Sequence, residues 1–244
     1  MTSSTNAVND GLDYLLDHFS HQIQLWPRII STRTTEARQV IAYNKEEALA
    51  RFAQANFVDC RISAYPHWRP TISSKFMGIK NAIAPNFIMI DLDACNFDDD
   101  YDNDILGQIL WRIRDNLASY KPTVIWSGRG HHIHIQLQAP VLETVSEFAN
   151  IDDISTKFIR FAEHYLSDGK SDHDHFSNVS LRNCMLRVLG SINSKNGAAV
   201  TLLKTCKSQP ANINLLIGSF YAHIKSDEIE YAKRIEVNSN LCLG

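Results

Sequence analysis

Two apolar runs in the middle of the chain each end in a dense polar string, and together they constrain the fold more than any other feature. Phe87 to Ile90 delivers Asp91-Leu92-Asp93, and Thr123 to Trp126 delivers Ser127-Gly128-Arg129-Gly130-His131-His132-Ile133-His134-Ile135. Side chains two apart on a strand share a face, so the spacing predicts that Asp91 and Asp93 face one point. Two carboxylates held that close call for a cation between them. In the second string, hydroxyl, guanidinium, imidazole and bare backbone N–H groups stand beside glycine at a strand end, where they suit a phosphate chain. Metal beside phosphate points to nucleotide chemistry.

The rest of the pattern is alternating α and β. Leu12, Leu15, Leu16 and Phe19 recur at helical spacing, a strand is expected at 39–43, and Asn44 with Glu47 three residues on marks a helix start leading to about 56. A strand is expected at 57–64. Pro66 to Pro85, rich in Pro, Ser and Lys, reads as a long loop. A helix over 104–119 carries the stripe Ile105, Ile109, Ile113 and Leu117, and beyond Trp126 to Gly130 the strand 132–137 alternates Ile133, Ile135 and Leu137 with His132, His134 and Gln136. A helix around Phe158 to Leu166, a strand at 200–205 and a helix near 227–235 complete the set.

Composition excludes several classes. No apolar stretch nears membrane-spanning length and Met1 to Asp10 is too polar for a signal peptide, which points to a soluble, intracellular protein with no membrane partner. Cys60, Cys95, Cys184, Cys206 and Cys242 form no Cys-x-x-Cys pair, against both a zinc ribbon and a disulfide scaffold. The net charge of −3 requires any nucleic-acid surface to be local. Asp98 to Asp104 alternates like a calcium loop, yet Asn103 stands where Gly is needed and Ile109 where Glu belongs. A dinucleotide loop at Gly128-x-Gly130 lacks its third glycine and its helix.

The histidines leave two readings open. His132 and His134 share a strand face, and a His-hydrophobic-His pair is the metal signature of rolling-circle replication endonucleases, whose tyrosine nucleophile would have to come from Tyr165, Tyr221 or Tyr231. A third segment favours the other reading. It runs from Ser171-Asp172-His173-Asp174-His175 to Arg187-Val188-Leu189-Gly190-Ser191-Ile192-Asn193-Ser194-Lys195. In order and spacing, Asp-x-Asp, Ser-Gly-x-Gly-x-His and an Asp upstream of Arg-x-x-Gly-Ser-x-Asn-x-Lys resemble the motifs of the archaeo-eukaryotic primase superfamily, over roughly Pro85 to Lys207.

That resemblance implies an α/β (α+β) primase-polymerase fold: an RRM-like catalytic sheet over 85–207, a small N-terminal α/β module over 1–84, and a helical closure over 208–244. It implies a template-dependent DNA primase or primase-polymerase of the plasmid, viral or repair type. Asp91, Asp93 and Asp174 would be the metal carboxylates for two Mg²⁺ or Mn²⁺ ions, with Asp172 as the alternative third. Ser127, Arg129, His132, Arg187 and Lys195 would meet the incoming nucleotide. Expected partners are single-stranded DNA template and primer, ribo- or deoxynucleoside triphosphates, and a helicase or other replication proteins, with Trp68, Arg69, Lys75 and Lys80 as candidates for template contact. No structural zinc is expected, since no Cys or His set has the spacing for one, and no phosphate loop marks a fused helicase. The sequence finds no room for a large helical module after Gly197. A catalytically silent nucleic-acid-binding relative is the remaining reading.

Overall fold

The computed structural model describes residues 2–19, 25–35, 39–72, 77–82, 87–93, 102–138, 154–171, 184–206 and 209–241, with the backbone alone at 2–4, 67–72, 77–82, 102–103 and 228–241. Helix α1 (Thr2–Asp17) buries Val8, Leu12 and Leu15, one stripe of a 3.6-residue repeat. Strands β1 (Arg28–Ser31) and β2 (Val40–Ala42) pair antiparallel. Helix α2 (Lys45–Gln54) starts where its sequence says: the Asn44 side chain accepts from the Glu47 N–H at 2.8 Å, and the Glu47 carboxylate accepts from the Tyr43 N–H at 2.8 Å. Ala48 and Phe52 form its buried face.

Only the second half of the expected strand 57–64 is strand, as β3 (Arg61–Ser63). Asn56, Phe57 and Asp59 all take positive φ, at 51°, 58° and 53°. Three non-glycine residues in that region form a tight turn that no strand tolerates. The long loop expected over Pro66 to Pro85 is instead a hairpin of β4 (His67–Ile72) and β5 (Met77–Ala82). Among the described residues its two strands pair only with each other, which is compatible with Pro70 inside β4.

The second sheet holds β6 (Phe87–Asp93), β7 (Thr123–Trp126), β8 (Gly130–Gln136) and β10 (Thr201–Lys204), in the order β10-β7-β8-β6. Strand β9 (Met185–Arg187) does not join it. It pairs with β3 and completes the first sheet, β2-β1-β3-β9. All pairings in both sheets are antiparallel.

Strand parity sorts the core into two. Ile88, Ile90, Leu92, Ile133 and Ile135 bury one face of the second sheet against α3 (Asp102–Asn116), α4 (Ile154–Ser167) and the start of α5 (Asn214–Leu241). Phe87, Met89 and Ile125, on the other face, join Leu12, Leu15, Ile30, Phe52, Ile62 and Leu186 in a second core under α1 and the first sheet. The Tyr65 hydroxyl, buried at the end of β3, donates to the Phe87 carbonyl and ties the two sheets together. Helix α1 approaches the segment after β9 so closely that a Cβ on Gly11 would meet the Leu189 carbonyl oxygen at 2.3 Å, and one on Gly190 would meet Ala7 at 2.8 Å. Among the described residues no helix is long and apolar enough to cross a membrane.

Candidate functional site

Asp91 and Asp93 lie on the face of β6 that turns toward the first sheet, as their parity with Phe87 and Met89 requires. The β6–β8 register sets Asp91 opposite His132 and Asp93 opposite Gly130. The His132 Nε2 lies 3.4 Å from the Asp91 Oδ1, and the Arg129 guanidinium, in the β7–β8 turn, donates to the Asp93 Oδ2 at 2.8 Å. Both carboxylates therefore already draw polar or cationic groups, and the Asp91 side chain remains 41% exposed. Hard oxygen donors of this kind suit a divalent ion. Among the described residues no third His, Cys, Asp or Glu completes a metal-sized group with them. Asp172 and Asp174, with His173 and His175, lie outside the described residues.

His132 is buried, and burial is the main cause holding its pKa below the usual histidine value. Asp91 pulls it up, while the positive charges of Arg187 and Arg61 push it down. The imidazole is thus a neutral hydrogen-bonding group under a basic wall. That wall comes from the first sheet, where β3 and β9 set Arg61 directly opposite Arg187. Arg61 is half-buried and interacts electrostatically with Asp59, Asp91 and Arg187.

Arg187 is itself buried and pairs with Asp59 at 3.1 Å. The same Asp59 oxygen accepts from the Ser194 N–H at 3.2 Å. Two turns are then stitched together. Asn193 donates through Nδ2 to the Ser127 carbonyl at 3.0 Å and accepts at Oδ1 from the Lys195 N–H at 3.1 Å, while Asn196 donates to the Gly128 carbonyl. Gly128 sits at φ +96°, and a Cβ there would lie 2.6 Å from the Asn193 Cβ, so glycine is required. Ser127, Arg129 and Lys195 are thereby held in one loop cluster, with the Lys195 side chain exposed.

The structure thus gathers Asp91, Asp93, Ser127, Arg129, His132, Arg187 and Lys195. Sequence reading missed Asp59, Arg61 and Asn193 as members of this cluster. Glu163, buried on α4, and Asp91 both raise the pKa of the Cys184 thiol, after burial itself. Of these only Asn193 stood inside a recognised motif. Arg69, Lys75, Lys80 and Trp68 are described without side chains or not at all.

His134 shares a strand face with His132, the two ring centroids 6.3 Å apart. It is 1% exposed, neither ring nitrogen has a hydrogen-bond partner, and it packs edge-on against Phe87 at 5.2 Å and His18 at 5.8 Å. Tyr165 packs into the core on the opposite face of the second sheet, stacked on Phe161 with its hydroxyl donating to Asn116 at 3.1 Å. Tyr221 lies on α5 under Lys225, and the Tyr231 side chain is outside the described set. The strand-nicking arrangement of two ligating histidines and a facing tyrosine is not formed by the described residues.

No protein-family model matches the sequence, and no curated protein does. Solved structures are similar in fold. The catalytic domain of primase RepB' in complex with initiator DNA superposes with a TM-score of 0.52 at 14% identity, covering 93% of this chain and 98% of that one. A longer structure of primase RepB' gives 0.53 at 13% identity, covering 97% of this chain and 68% of that one. The AEP domain of the cyanophage S-2L primase-polymerase gives 0.52 at 11% identity, over 85% and 96%. These likenesses cover 85% to 97% of this chain, and the chain shares the fold of these primase and primase-polymerase domains.

Proposed function

We propose that this chain is a template-dependent DNA primase or primase-polymerase, a nucleotidyltransferase that builds or extends primers on single-stranded DNA. The observation that carries the reading is the pairing of Asp91 and Asp93 on one strand face with a basic wall, Arg61 and Arg187, supplied by the other sheet. Nucleotidyl transfer needs that juxtaposition, because the attacking 3′-hydroxyl and the leaving pyrophosphate must be neutralised together.

Asp91 and Asp93 would hold Mg²⁺ or Mn²⁺, with Asp174 or Asp172 as the proposed third carboxylate; such ions supply charge neutralisation of the reacting oxygens. The side chains of this chain do the remainder. Arg61, Arg187, Arg129 and Lys195 meet the triphosphate charge, for which guanidinium forks suit two-point contact. Ser127 and the bare backbone at Gly128 approach it closely. Neutral His132 offers a hydrogen bond rather than a competing positive charge. Positioning and electrostatics are most of catalysis in phosphoryl chemistry. Single-stranded DNA, nucleoside triphosphates and replication proteins are the proposed partners.

The test is synthesis on single-stranded DNA with labelled nucleotides and Mg²⁺ or Mn²⁺, with and without a primer. Products that require template and metal support the reading. In the same assay His132→Ala should raise the apparent KM for nucleotide or lower kcat by the equivalent of about 1 to 3 kcal/mol, with metal binding retained. A covalent protein–DNA adduct that survives denaturation, with no nucleotide incorporated, would refute it.

A further inference from the structure

We infer that Asp59 is a positioning residue for the nucleotide site, an inference that rests on the reading just given. Asp59 lies in the turn before β3, outside every motif that marks the site, and it touches the site only through others. Its backbone is held from two directions. The Asp59 N–H donates to the Ile192 carbonyl at 2.8 Å, and Val58 bridges Ile192, so the turn is fastened to the segment that follows β9. Its φ of 53°, after positive φ at Asn56 and Phe57, is the kind of backbone conformation that persists only where surroundings enforce it.

The side chain does two things with one oxygen. It pairs with the Arg187 Nη1 at 3.1 Å and accepts the Ser194 N–H at 3.2 Å. A buried guanidinium without a counter-charge is costly, and it seeks the nearest carboxylate. For Arg187 the alternative is the Asp91 and Asp93 pair, since Arg187 already acts on His132, which touches Asp91. Asp59 therefore holds Arg187 off the acidic pair through Nη1 and, through the Ser194 N–H, fixes the loop bearing Asn193 and Lys195. The hydrogen bonds from Ser194 and Arg187 hold the Asp59 carboxyl below its usual pKa against the opposing effect of burial, in keeping with a permanent anion here.

The experiment compares wild type, Asp59→Asn, Asp59→Ala, Arg187→Ala and the Asp59→Ala/Arg187→Ala double variant. Steady-state extension of a primed template is measured together with thermal unfolding of the same samples. Asp59→Asn keeps the shape and one acceptor, so the fold should hold. The expected result is an apparent KM for nucleotide raised about tenfold with kcat within about threefold, as for loss of ground-state positioning. The double variant should be no worse than Arg187→Ala alone, because Asp59 acts through that arginine. An unchanged KM in Asp59→Asn overturns the inference, and so do losses in the double variant that multiply as independent sites, or activity that falls only in step with the unfolded fraction. Wild-type protein that incorporates no nucleotide would refute the nucleotidyl-transfer reading itself, and is distinguishable because no variant comparison is then reached.

Discussion

His18 ends α1 inside an aromatic cage. Tyr14 approaches edge-on at 5.0 Å, His134 at 5.8 Å, and the Phe87 and Phe19 rings lie 6.2 Å and 6.4 Å away. Its Nε2 has no hydrogen-bond partner, and its pKa is lowered from 6.5 to about 4 by burial, with Asp17 opposing. A histidine depressed in the native state takes its proton first in the unfolded chain. Stability is therefore fully present above pH 6.5 and is lost as pH falls from there toward 4. Between pH 7.5 and 5 the linkage amounts to about 2 kcal/mol for this residue alone. His134, lowered in the same direction by burial and by His18 and His132, adds to it.

Replacing His18 with Phe removes the titration and the unpartnered nitrogen while conserving an aromatic ring of similar size. At pH 7.5 the variant should match or exceed wild type by about 1 kcal/mol, since a buried unsatisfied donor or acceptor is a penalty of roughly 1 to 3 kcal/mol. By pH 5 its advantage should grow by a further ~2 kcal/mol. Denaturant unfolding at steps from pH 7.5 to 5, with m-values checked for constancy, measures both. Parallel stability-against-pH curves for wild type and His18→Phe would refute the argument, because they would mean that His18 takes up its proton equally in the folded and unfolded chain.

Three other outcomes are expected. Asp91→Ala or Asp93→Ala should abolish nucleotide incorporation with little change in melting temperature, since each loses a part-exposed contact, to His132 or Arg129, while relieving repulsion between the two carboxylates; extension assays beside thermal melts check it. Gly128→Ala should lower stability by about 1 to 3 kcal/mol and weaken nucleotide binding, because its Cβ would press on Asn193 at a φ of +96°; unfolding curves and nucleotide titration report the two effects separately. Asn44→Ala should cost about 1 kcal/mol by removing the α2 cap, leaving kcat unchanged.

Periodicity carried the parts of the fold whose physics is local. The strands under Asp91 and His132 and the helix stripes at α3 and α4 were legible because burial on one face writes itself into residue spacing. The paired turns around Ser127 and Asn193 stood inside recognised motifs. Asp59 was not legible, because its partner Arg187 lies 128 residues away and neither side carries a local mark of the other. The turn at Asn56 to Asp59 escaped because glycine, the usual sign of positive φ, is absent. The β4–β5 hairpin was hidden by Pro, Ser and Lys, which read as loop. Helix α5, expected only near 227–235, begins at Asn214 because Leu216 and Phe220 bury against the second sheet's helical face.

The charges of the candidate site are divided between two sheets, and this explains why the small N-terminal strands matter to it. Asp91, Asp93 and His132 belong to the second sheet; Asp59, Arg61 and Arg187 belong to the first or to the turn leading into it. Each set carries like charges close together, Asp91 and Asp93 on one strand and Arg61 opposite Arg187 on two, and like charges so placed repel. Facing each other, each offsets the other: Arg129 pairs with Asp93, Arg187 with Asp59, and Arg61 interacts with both Asp59 and Asp91. The strand that makes this possible is β9, which enters from the catalytic half of the sequence and pairs with β3 of the N-terminal half. Helix α1 lies directly behind the turn that follows it, at the Gly11–Leu189 and Gly190–Ala7 approaches. Gly11 and Gly190 thus let α1 pack against the chain that carries Arg187 into the first sheet.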